Sequence, residues 1–404
     1  MAGAAAAVPD PGKGVGERLA VRLTPDALRQ VRGGHPWVFD NSIVSTSRVG
    51  APGDLAVVFD HQRRFVAIGL YDPTSPIRIR VLHRGAPTPI DGAWWRAQIG
   101  ASLARRAGLE DGDTTAYRVV HGENDALPGL VVDRYSGTCV IKVYTASLVP
   151  HLGAISDAVT DVVGPERIVV RASRHVARLV EEDRDAGVVW FREHGLQMSA
   201  DVGRGQKTGH FLDQRDNRRL VAAHAEGARL LDVFACTGGF SLHAAAGGAS
   251  SVHLVDQSAG AIETAATNLR ANHDRRKVRE CDVTSEVGDA FEVLAELRKR
   301  GQRFDVVVVD PPSFASKQAD VERAIGAYRR LTSLAVELVV PGGLLFQASC
   351  SSRVPADRFV GSVVDETARR GRRADVLART GHPIDHPIGF PEGAYLKAVL
   401  LRLP

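Results

Sequence analysis

The sequence predicts an α/β protein whose C-terminal half forms a parallel sheet covered by helices on both faces. Its clearest stretch is an apolar run at 230–233, which contains an acid and is followed by a small-residue turn and a helix-forming segment, the opening of a βαβ unit. A later run, 304–309, is continuous enough to be buried on both faces. An acid recurs in each repeat with separations of 24, 26 and 28 residues, at Asp232, Asp256, Asp282 and Asp310. Such a repeat predicts a ligand at the carboxyl ends of the strands.

The composition allows two or three domains and fits a reducing compartment. The chain has 404 residues, enough for at least one large core. Its four cysteines are widely spaced and form no Cys-x-x-Cys pair, so the sequence predicts neither a zinc site nor a disulfide framework. No apolar run is long enough to span a bilayer. We therefore expect a cytoplasmic protein that binds neither a membrane nor a metal.

The charge of the chain is mildly basic. The formal net charge is +4 and the pI is about 9.0, with arginine greatly outnumbering lysine. Arginine is the better reader of phosphates and bases, so a nucleic-acid partner is compatible with this composition but not required by it. The start of the chain is rich in Ala, Gly and Pro and lacks the pattern of a signal peptide, which predicts a disordered tail over 1–16.

Residues 17–84 have the pattern of short strands joined by turns. The runs 55–59 and 65–70 flank a polar segment, which is typical of a β-hairpin. Apolar and basic residues alternate around Arg78 and Arg80, which predicts a half-exposed strand that turns its arginines to solvent. The pattern by itself favours a small β-barrel.

Residues 89–195 are predicted to form a small α+β module. A helical segment begins near Trp94 and ends near Gly108, and several short strands follow it. His121 and Glu123 have the composition of an acid–base pair, but they lie in a loop rich in turn formers. A structural role in that loop is therefore favoured for both.

The last part of the chain, 196–404, carries the candidate ligand turn. Gly238 and Gly239 lack a Cβ atom, so the backbone could approach a ligand closely there. The turn has neither the spacing of a dinucleotide fingerprint nor the lysine of a phosphate-binding loop. Asp256 ends the next apolar run, where an acid can accept both hydroxyls of a ribose. A final strand over 395–401 is expected to complete the sheet as part of an antiparallel edge pair.

Four segments of the sequence resemble a known family. They lie at 205–218, 237–241, 310–314 and 349–351; the first is long and specific, and the last two are short and more widely shared. Together they resemble class I S-adenosylmethionine-dependent methyltransferases, and more narrowly the RlmI-type family of 23S rRNA cytosine-C5 methyltransferases. The N-terminal β-rich part resembles the PUA domain, a small RNA-binding barrel found at the start of that family.

This resemblance implies a Rossmann-like class I methyltransferase domain at 196–404, preceded by a PUA-like β-barrel at 17–84 and a small α+β linking domain at 89–195. It implies S-adenosylmethionine as the cofactor and 23S rRNA of the large subunit as the partner. The sequence does not decide the oligomeric state, and a homodimer is one candidate. The residues implied at the cofactor, with Asp256 on the ribose and Asp282 near the adenine, are Asp232, Phe234, Thr237, Gly238, Gly239, Phe240, Asp256, Asp282 and Asp310. The residues implied at the RNA are Lys207, Arg215, Arg218, Arg78 and Arg80.

Cys350 is the candidate nucleophile. C5 of cytosine is a poor nucleophile, and addition of a thiolate at C6 makes C5 enamine-like and able to attack a sulfonium methyl group. The Ser-Cys-Ser segment around Cys350 resembles the catalytic position of the family, and Asp310 is then expected to hold the exocyclic amine or N3 of the base. His386 and Glu392 are candidates for the group that removes the C5 proton. Cys236 stands where many family members have an aromatic residue and is expected to pack beside the cofactor.

Other functions stay open at this point. A single motif cysteine also resembles the uracil-C5 enzymes. N-methylation of a base would use the Asp-Pro-Pro motif at 310–312 to bind an amine and would leave Cys350 inert. A non-catalytic RNA-binding assembly factor would keep the fold without turnover, although the intact acids and glycine turn argue against it.

Overall fold

The computed structural model describes residues 16–109, 112–315 and 317–404. The tail expected over 1–16 lies outside these residues, apart from Gly16. Within the described residues the chain divides into two compact units. The first holds 16–109, 116–189 and 201–209, and the second holds 112–115, 190–200 and 210–404.

The first unit begins with a six-stranded sheet and one helix. Its elements are β1 (Arg18–Leu23), α1 (Pro25–Arg32), β2 (Trp37–Phe39), β3 (Ile43–Thr46), β4 (Leu55–Phe59), β5 (Phe65–Tyr71) and β6 (Ile77–Arg84). The strand order is β2-β6-β5-β4-β1-β3. The predicted hairpin is confirmed, since β4 and β5 pair antiparallel with Val57 opposite Ile68. The sequence patterns missed α1, which begins after Thr24, a residue whose hydroxyl accepts a hydrogen bond from the Ala27 N–H.

A four-stranded sheet with two helices completes the first unit. Its elements are α2 (Gly92–Ala104), β7 (Ala116–His121), β8 (Leu130–Tyr135), β9 (Thr138–Val143), α3 (Leu152–Val163) and β10 (Arg167–Ala172). The order is β10-β9-β8-β7, with β10 parallel to β9 and the other pairs antiparallel. Trp95 and Ile141 of this module share one buried core with Leu55, Ile68 and Leu82 of the first sheet. The barrel and the linking module, predicted as separate domains, therefore form one compact unit.

The strands β11 (Val188–Glu193) and β12 (Leu196–Asp201) form a hairpin and are joined by a two-residue turn. His194 and Gly195 both have positive φ, at 50° and 74°. Two consecutive left-handed residues are what a type I′ hairpin turn requires.

The second unit is built on a seven-stranded sheet. Its further elements are α4 (Arg215–Ala222), β13 (Arg229–Val233), α5 (Gly239–Gly247), β14 (Ser251–Asp256), α6 (Ala259–Arg270), α7 (Arg276–Glu280), β15 (Asp282–Val287), α8 (Ala290–Lys299), β16 (Phe304–Val309), α9 (Val321–Val336), β17 (Val339–Ser349), α10 (Ala356–Arg369), β18 (Asp375–Thr380) and β19 (Lys397–Leu403). The strand order is β15-β14-β13-β16-β17-β19-β18. The pairs from β15 to β17 are parallel, and β19 runs antiparallel to both of its neighbours. The predicted parallel sheet and the antiparallel final strand are confirmed.

The core of the second unit explains its strand pattern. The central strands β13 and β16 carry Leu231, Val233, Val307 and Val309, each fully buried within one large hydrophobic cluster. Helices α8, α9 and α10 contribute to the same cluster, for example through Tyr328. Burial on both faces accounts for the near-continuous apolar runs of these strands.

Two kinds of feature are absent from the part of the chain that the structure describes. No helix there has the length and apolar character needed to cross a membrane. No group of three or more His, Cys, Asp or Glu side chains there could hold a metal ion.

Candidate active site

One edge of the seven-stranded sheet gathers the functional side chains of the second unit. The carboxyl ends of β13, β14 and β16 carry or are followed by Asp232, Asp256 and Asp310. These strands are parallel neighbours, so the three acids lie at the same edge. Cys350 follows β17 at this edge, and antiparallel β19 starts there with Lys397 opposite Ser349 in register. The site thus combines three carboxylates, a thiol and an amine.

The turn between β13 and α5 is strained and firmly held. Phe234 and Cys236 have φ of 65° and 48°, a left-handed conformation that is costly for residues with a side chain. The Phe234 N–H donates to the Val255 carbonyl at 2.9 Å, and the Cys236 N–H donates to Asp256 Oδ2 at 2.9 Å. Such strain persists only where the surroundings fix it, and it clusters at ligand sites.

The two glycines of this turn are required by protein packing. A Cβ atom on Gly238 would lie 2.7 Å from Cβ of Ala265 in α6, and one on Gly239 would lie 2.8 Å from Cδ of Arg218. Both distances are shorter than carbon atoms tolerate. The close approach of α6 and of the Arg218 side chain is thus one reason for these glycines, and the approach of a ligand at the same turn stays a prediction.

Packing contacts and a hydrogen bond hold three other residues of the turn. Phe234 is half-buried against the main core, and the Phe240 ring packs 5.4 Å from the ring of Phe346 on β17. The Thr237 carbonyl accepts a hydrogen bond from Asn268 Nδ2 at 3.0 Å. These contacts fix the course of the backbone through the turn.

Asp232 carries a buried carboxylate oxygen that lacks a hydrogen-bond donor in the part of the chain that the structure describes. The side chain is fully buried, and its Oδ2 accepts hydrogen bonds from the Ser241 N–H at 3.1 Å and the Ser241 hydroxyl at 2.7 Å. Within the described residues its Oδ1 has no hydrogen-bond partner. Burial raises the pKa of Asp232 to about 6. A buried acceptor without a donor fits a ligand that brings a donor or a positive charge.

Asp256 and Asp289 are the acids that the structure places at the next two strand ends. Asp256 is half-buried, and its two oxygens accept from the Cys236 and Ser258 N–H groups, each at 2.9 Å. Asp289 follows the carboxyl end of β15 and caps α8, where it accepts from the Phe291 N–H at 2.9 Å. The sequence reasoning missed Asp289; the signal was a Gly-Asp pair directly before a helical pattern.

The placement of Asp282 at a strand end was wrong. Asp282 is the first residue of β15, it is exposed, and it lies opposite Ser251, the first residue of β14. It therefore lies at the amino edge of the sheet, away from the candidate site. The cause is α7, because residues 276–280 form this short helix where the repeat predicts a strand, and β15 starts only after it.

The loop after the Asp-Pro-Pro motif is anchored beside Cys350. The Ser351 hydroxyl lies 2.8 Å from the Tyr328 hydroxyl and accepts hydrogen bonds from the N–H groups of 314–315 at 3.0 and 3.2 Å. The Ser349 hydroxyl donates to the Tyr328 hydroxyl at 2.8 Å. Both serines are fully buried and Cys350 is half-buried. The residues on either side of the thiol thus tie its strand to the neighbouring loop.

Two arginines that the sequence assigned to RNA binding form ion pairs inside the protein instead. Arg218 donates to both oxygens of Glu193, at 2.6 and 2.7 Å, and Arg215 donates to Asp385 at 2.9 Å. The side chains of Arg215 and Arg218 are only 2% and 3% exposed. This corrects the sequence assignment, because a guanidinium group engaged inside the protein is not presented to RNA.

The remaining predicted RNA contacts lie in the first unit. The prediction that Arg80 faces solvent was wrong, since Arg80 is buried and donates to the Ile77 carbonyl at 3.0 Å. Arg78 is partly exposed and donates to the Asp72 carbonyl at 3.2 Å. Lys207 is half-buried. Of the predicted basic residues, Arg78 and Lys207 therefore keep some accessible surface.

A buried charge cluster supports the turn from behind. Although burial opposes it, the charge of Arg218 lowers the pKa of Glu193 to about 2. His243 lies 3.3 Å from Glu193 through Nε2 and 2.9 Å from the Gly239 carbonyl through Nδ1. Burial lowers the pKa of His243 to about 4 and that of His210 to about 3, against an ordinary value of 6.5.

These histidines are expected to make the protein acid-sensitive. Because their pKa values are lower in the folded state, the unfolded chain takes up protons first, and stability is lost as the pH falls below 6.5. Each histidine should cost about 2 kcal/mol by pH 5. Urea unfolding at pH 7, 6 and 5 measures this loss. His243→Gln should reduce the pH dependence and exposed His224→Gln should not; an equal pH dependence in all three proteins would contradict the assignment.

Two family models match this chain. Residues 180–402 match the family model of S-adenosylmethionine-dependent methyltransferases, and residues 21–84 match that of PUA-like domains. The chain is 44% identical to a ribosomal RNA large subunit methyltransferase of Deinococcus radiodurans, over 96% of this chain and 98% of that protein. It is 32% identical to ribosomal RNA large subunit methyltransferase I of Shewanella amazonensis, over 95% of this chain and 99% of that protein.

Solved structures show the same fold. A SAM-dependent methyltransferase from Streptococcus mutans aligns with a TM-score of 0.79 at 18% identity, covering 95% of this chain and 99% of that one. A methyltransferase complexed with SAH aligns with a TM-score of 0.80 at 19% identity, covering 96% and 100%. The chain therefore belongs to the S-adenosylmethionine-dependent methyltransferase family and carries a PUA-like domain in its N-terminal part.

Proposed function

We propose that this enzyme methylates C5 of a cytosine in 23S rRNA through a covalent adduct with Cys350. The observation that carries the proposal is the position of Cys350 and Asp310 at the ends of the adjacent strands β17 and β16, beside the strained turn. The relatives above are named as large-subunit rRNA methyltransferases, which supports the choice of RNA. Such a reaction takes place where ribosomes are assembled, in the cytoplasm.

The residues of the sheet edge fit S-adenosylmethionine. The buried Asp232 Oδ1, which lacks a donor within the described residues, offers an acceptor to a positively charged group of the cofactor. Asp256 offers its remaining lone pairs to the ribose hydroxyls, and Asp289 lies on the side that we assign to the adenine. When bound, S-adenosylmethionine supplies an electrophilic methyl group on a sulfonium centre.

The protein residues supply the activation of the base. The Cys350 thiolate donates an electron pair to C6, and the C5=C6 pair moves to C5, which becomes nucleophilic. Asp310 accepts a hydrogen bond from the exocyclic amine and orients the ring. After C5 is methylated, a base removes its proton, the C5=C6 bond re-forms and the thiolate is expelled.

Two residues were candidates for that base. His386 is buried and lies 3.2 Å from Asp385 through Nδ1, whereas Glu392 is exposed. A carboxylate beside an imidazole stabilises its protonated form, and an exposed carboxylate can pass a proton to water. His386 and Glu392 are therefore both retained as candidates for the final deprotonation.

Mass mapping of modified nucleosides tests the function. The enzyme is incubated with S-adenosylmethionine carrying a labelled methyl group and with unmodified 23S rRNA, and the digested RNA is analysed. We expect label in 5-methylcytidine at one position. Label in 5-methyluridine would show that the target base is uracil, and label in an N-methylated base would contradict the proposed mechanism. Tight cofactor binding without methyl transfer would favour an assembly factor.

A further inference from the structure

Lys397 is a buried lysine beside the candidate nucleophile. Its side chain is 5% exposed, and it occupies the first position of β19, opposite Ser349. Its Nζ donates a hydrogen bond to the Ser351 carbonyl, one residue beyond Cys350. The end of the side chain is therefore held next to the segment that carries the thiol.

Burial of a lysine at this position is energetically unfavourable. The following residues of β19, 398–401, are apolar and almost fully buried, so an apolar side chain would continue the pattern. Burying an ammonium group is unfavourable unless an opposite charge compensates it. Burial lowers the pKa of Lys397 to about 8, and the charge of Cys350 acts in the opposite direction. The thiolate of Cys350 is thus a charge that favours the ammonium form.

Two acidic groups, Tyr328 and Asp310, also lie near Cys350. Tyr328 approaches from α9, and Asp310 approaches from the end of β16; the charges of Cys350 and Asp310 both raise the pKa of Tyr328, which burial raises most. Because its pKa is raised, Tyr328 stays neutral, whereas negative charge on Asp310 disfavours a thiolate on Cys350. Lys397, from β19, is a cation that offsets this charge.

We propose that Lys397 is a positioning residue that keeps Cys350 in the thiolate form, ready to add to C6 of the base. This inference rests on the function proposed above and assigns a role to a residue that the sequence reasoning overlooked. The ammonium keeps its proton throughout. It faces the thiolate before addition, a neutral thioether in the adduct, and the thiolate again after expulsion, so no co-reactant is needed.

The pH dependence of Cys350 alkylation tests the inference without RNA or cofactor. The full-length protein is labelled with iodoacetamide between pH 5 and 10, and the peptide containing Cys350 is quantified by mass spectrometry. An ordinary cysteine has a midpoint of about 8.5, and we expect a lower one for wild-type Cys350. Lys397→Met should raise the midpoint by about 1 pH unit, which slows labelling at pH 7 about 10-fold, and Lys397→Arg should restore it.

The chain offers a matched control in Lys142. Burial also lowers the pKa of this lysine to about 8, and its Nζ donates to the Lys207 carbonyl at 2.6 Å. Lys142→Met removes a half-buried lysine of the first unit and should leave the Cys350 midpoint unchanged. Thermal unfolding of each variant shows whether it is folded.

Two results would overturn the inference. One is a wild-type midpoint at or above about 8.5, which needs no variant and holds even if Lys397→Met fails to fold. The other is an unchanged midpoint in folded Lys397→Met. The proposed function fails separately, if Cys350→Ala still methylates C5, because alkylation does not depend on methyl transfer.

Discussion

Cys350→Ala is expected to abolish methylation of 23S rRNA, with a loss of about 1,000-fold or more in kcat. Without the sulfur no adduct forms at C6, and C5 keeps the low nucleophilicity of an aromatic carbon. The thiol lies beyond β17 and is not part of the strained turn, so binding of S-adenosylmethionine should persist. Label transfer and cofactor titration, measured on the same preparation, separate the two effects.

Cys281→Ala is the matched control for this prediction. Cys281 is another free cysteine, more buried than Cys350, and burial raises the pKa of its thiol to about 11. It directly precedes β15, at the amino edge of the sheet, so its removal should leave kcat unchanged. Equal activity of Cys350→Ala and Cys281→Ala would reject the adduct and favour N-methylation, in which Cys350 is inert.

The adduct can also be observed directly. In RNA that contains 5-fluorocytidine, C5 carries fluorine in place of the proton that the base must remove, so the thiolate cannot be expelled after methylation. Wild-type enzyme with S-adenosylmethionine should therefore form a complex that survives a denaturing gel. The Cys350→Ala variant should form none.

The sequence patterns predicted the strands that form the site, but they did not predict which side chains pair with one another there. The strands β13, β14 and β16 were predicted because burial on both faces leaves a long apolar run. Asp282 was misplaced because the short helix α7 has no such signature and shifts the start of β15. The pattern could not show that Arg218 and Arg215 pair with Glu193 and Asp385, which lie 25 and 170 residues away.

Lys397 is a second residue whose surroundings the local sequence pattern could not predict. In the sequence it is one charged residue within the predicted strand 395–401, and a single charge in an otherwise apolar strand is an ordinary feature. Only the insertion of antiparallel β19 beside β17 brings it to the edge that holds Cys350. The pairing of distant strands, and not local periodicity, assembles the candidate site.

Asp256→Asn is expected to weaken binding of S-adenosylmethionine about 100-fold, a loss of about 2.7 kcal/mol. The substitution removes the charge offered to the ribose, and one of the two N–H groups now held by the carboxylate loses its acceptor. One of these N–H groups belongs to Cys236 in the strained turn, so the turn should also become less ordered. Isothermal titration with S-adenosylmethionine measures the affinity.

Asp282→Asn and Asp289→Asn test at which end of the parallel strands the cofactor binds. Asp282 lies at the amino ends of the strands, so its variant should bind the cofactor within about 2-fold of wild type, whereas Asp289→Asn should lose about 10-fold. The sequence spacing alone gives the opposite order for these two residues. If Asp282→Asn weakened binding as much as Asp256→Asn while Asp289→Asn did not, the cofactor could not lie at the carboxyl edge, because the two edges are separated by the full length of β15.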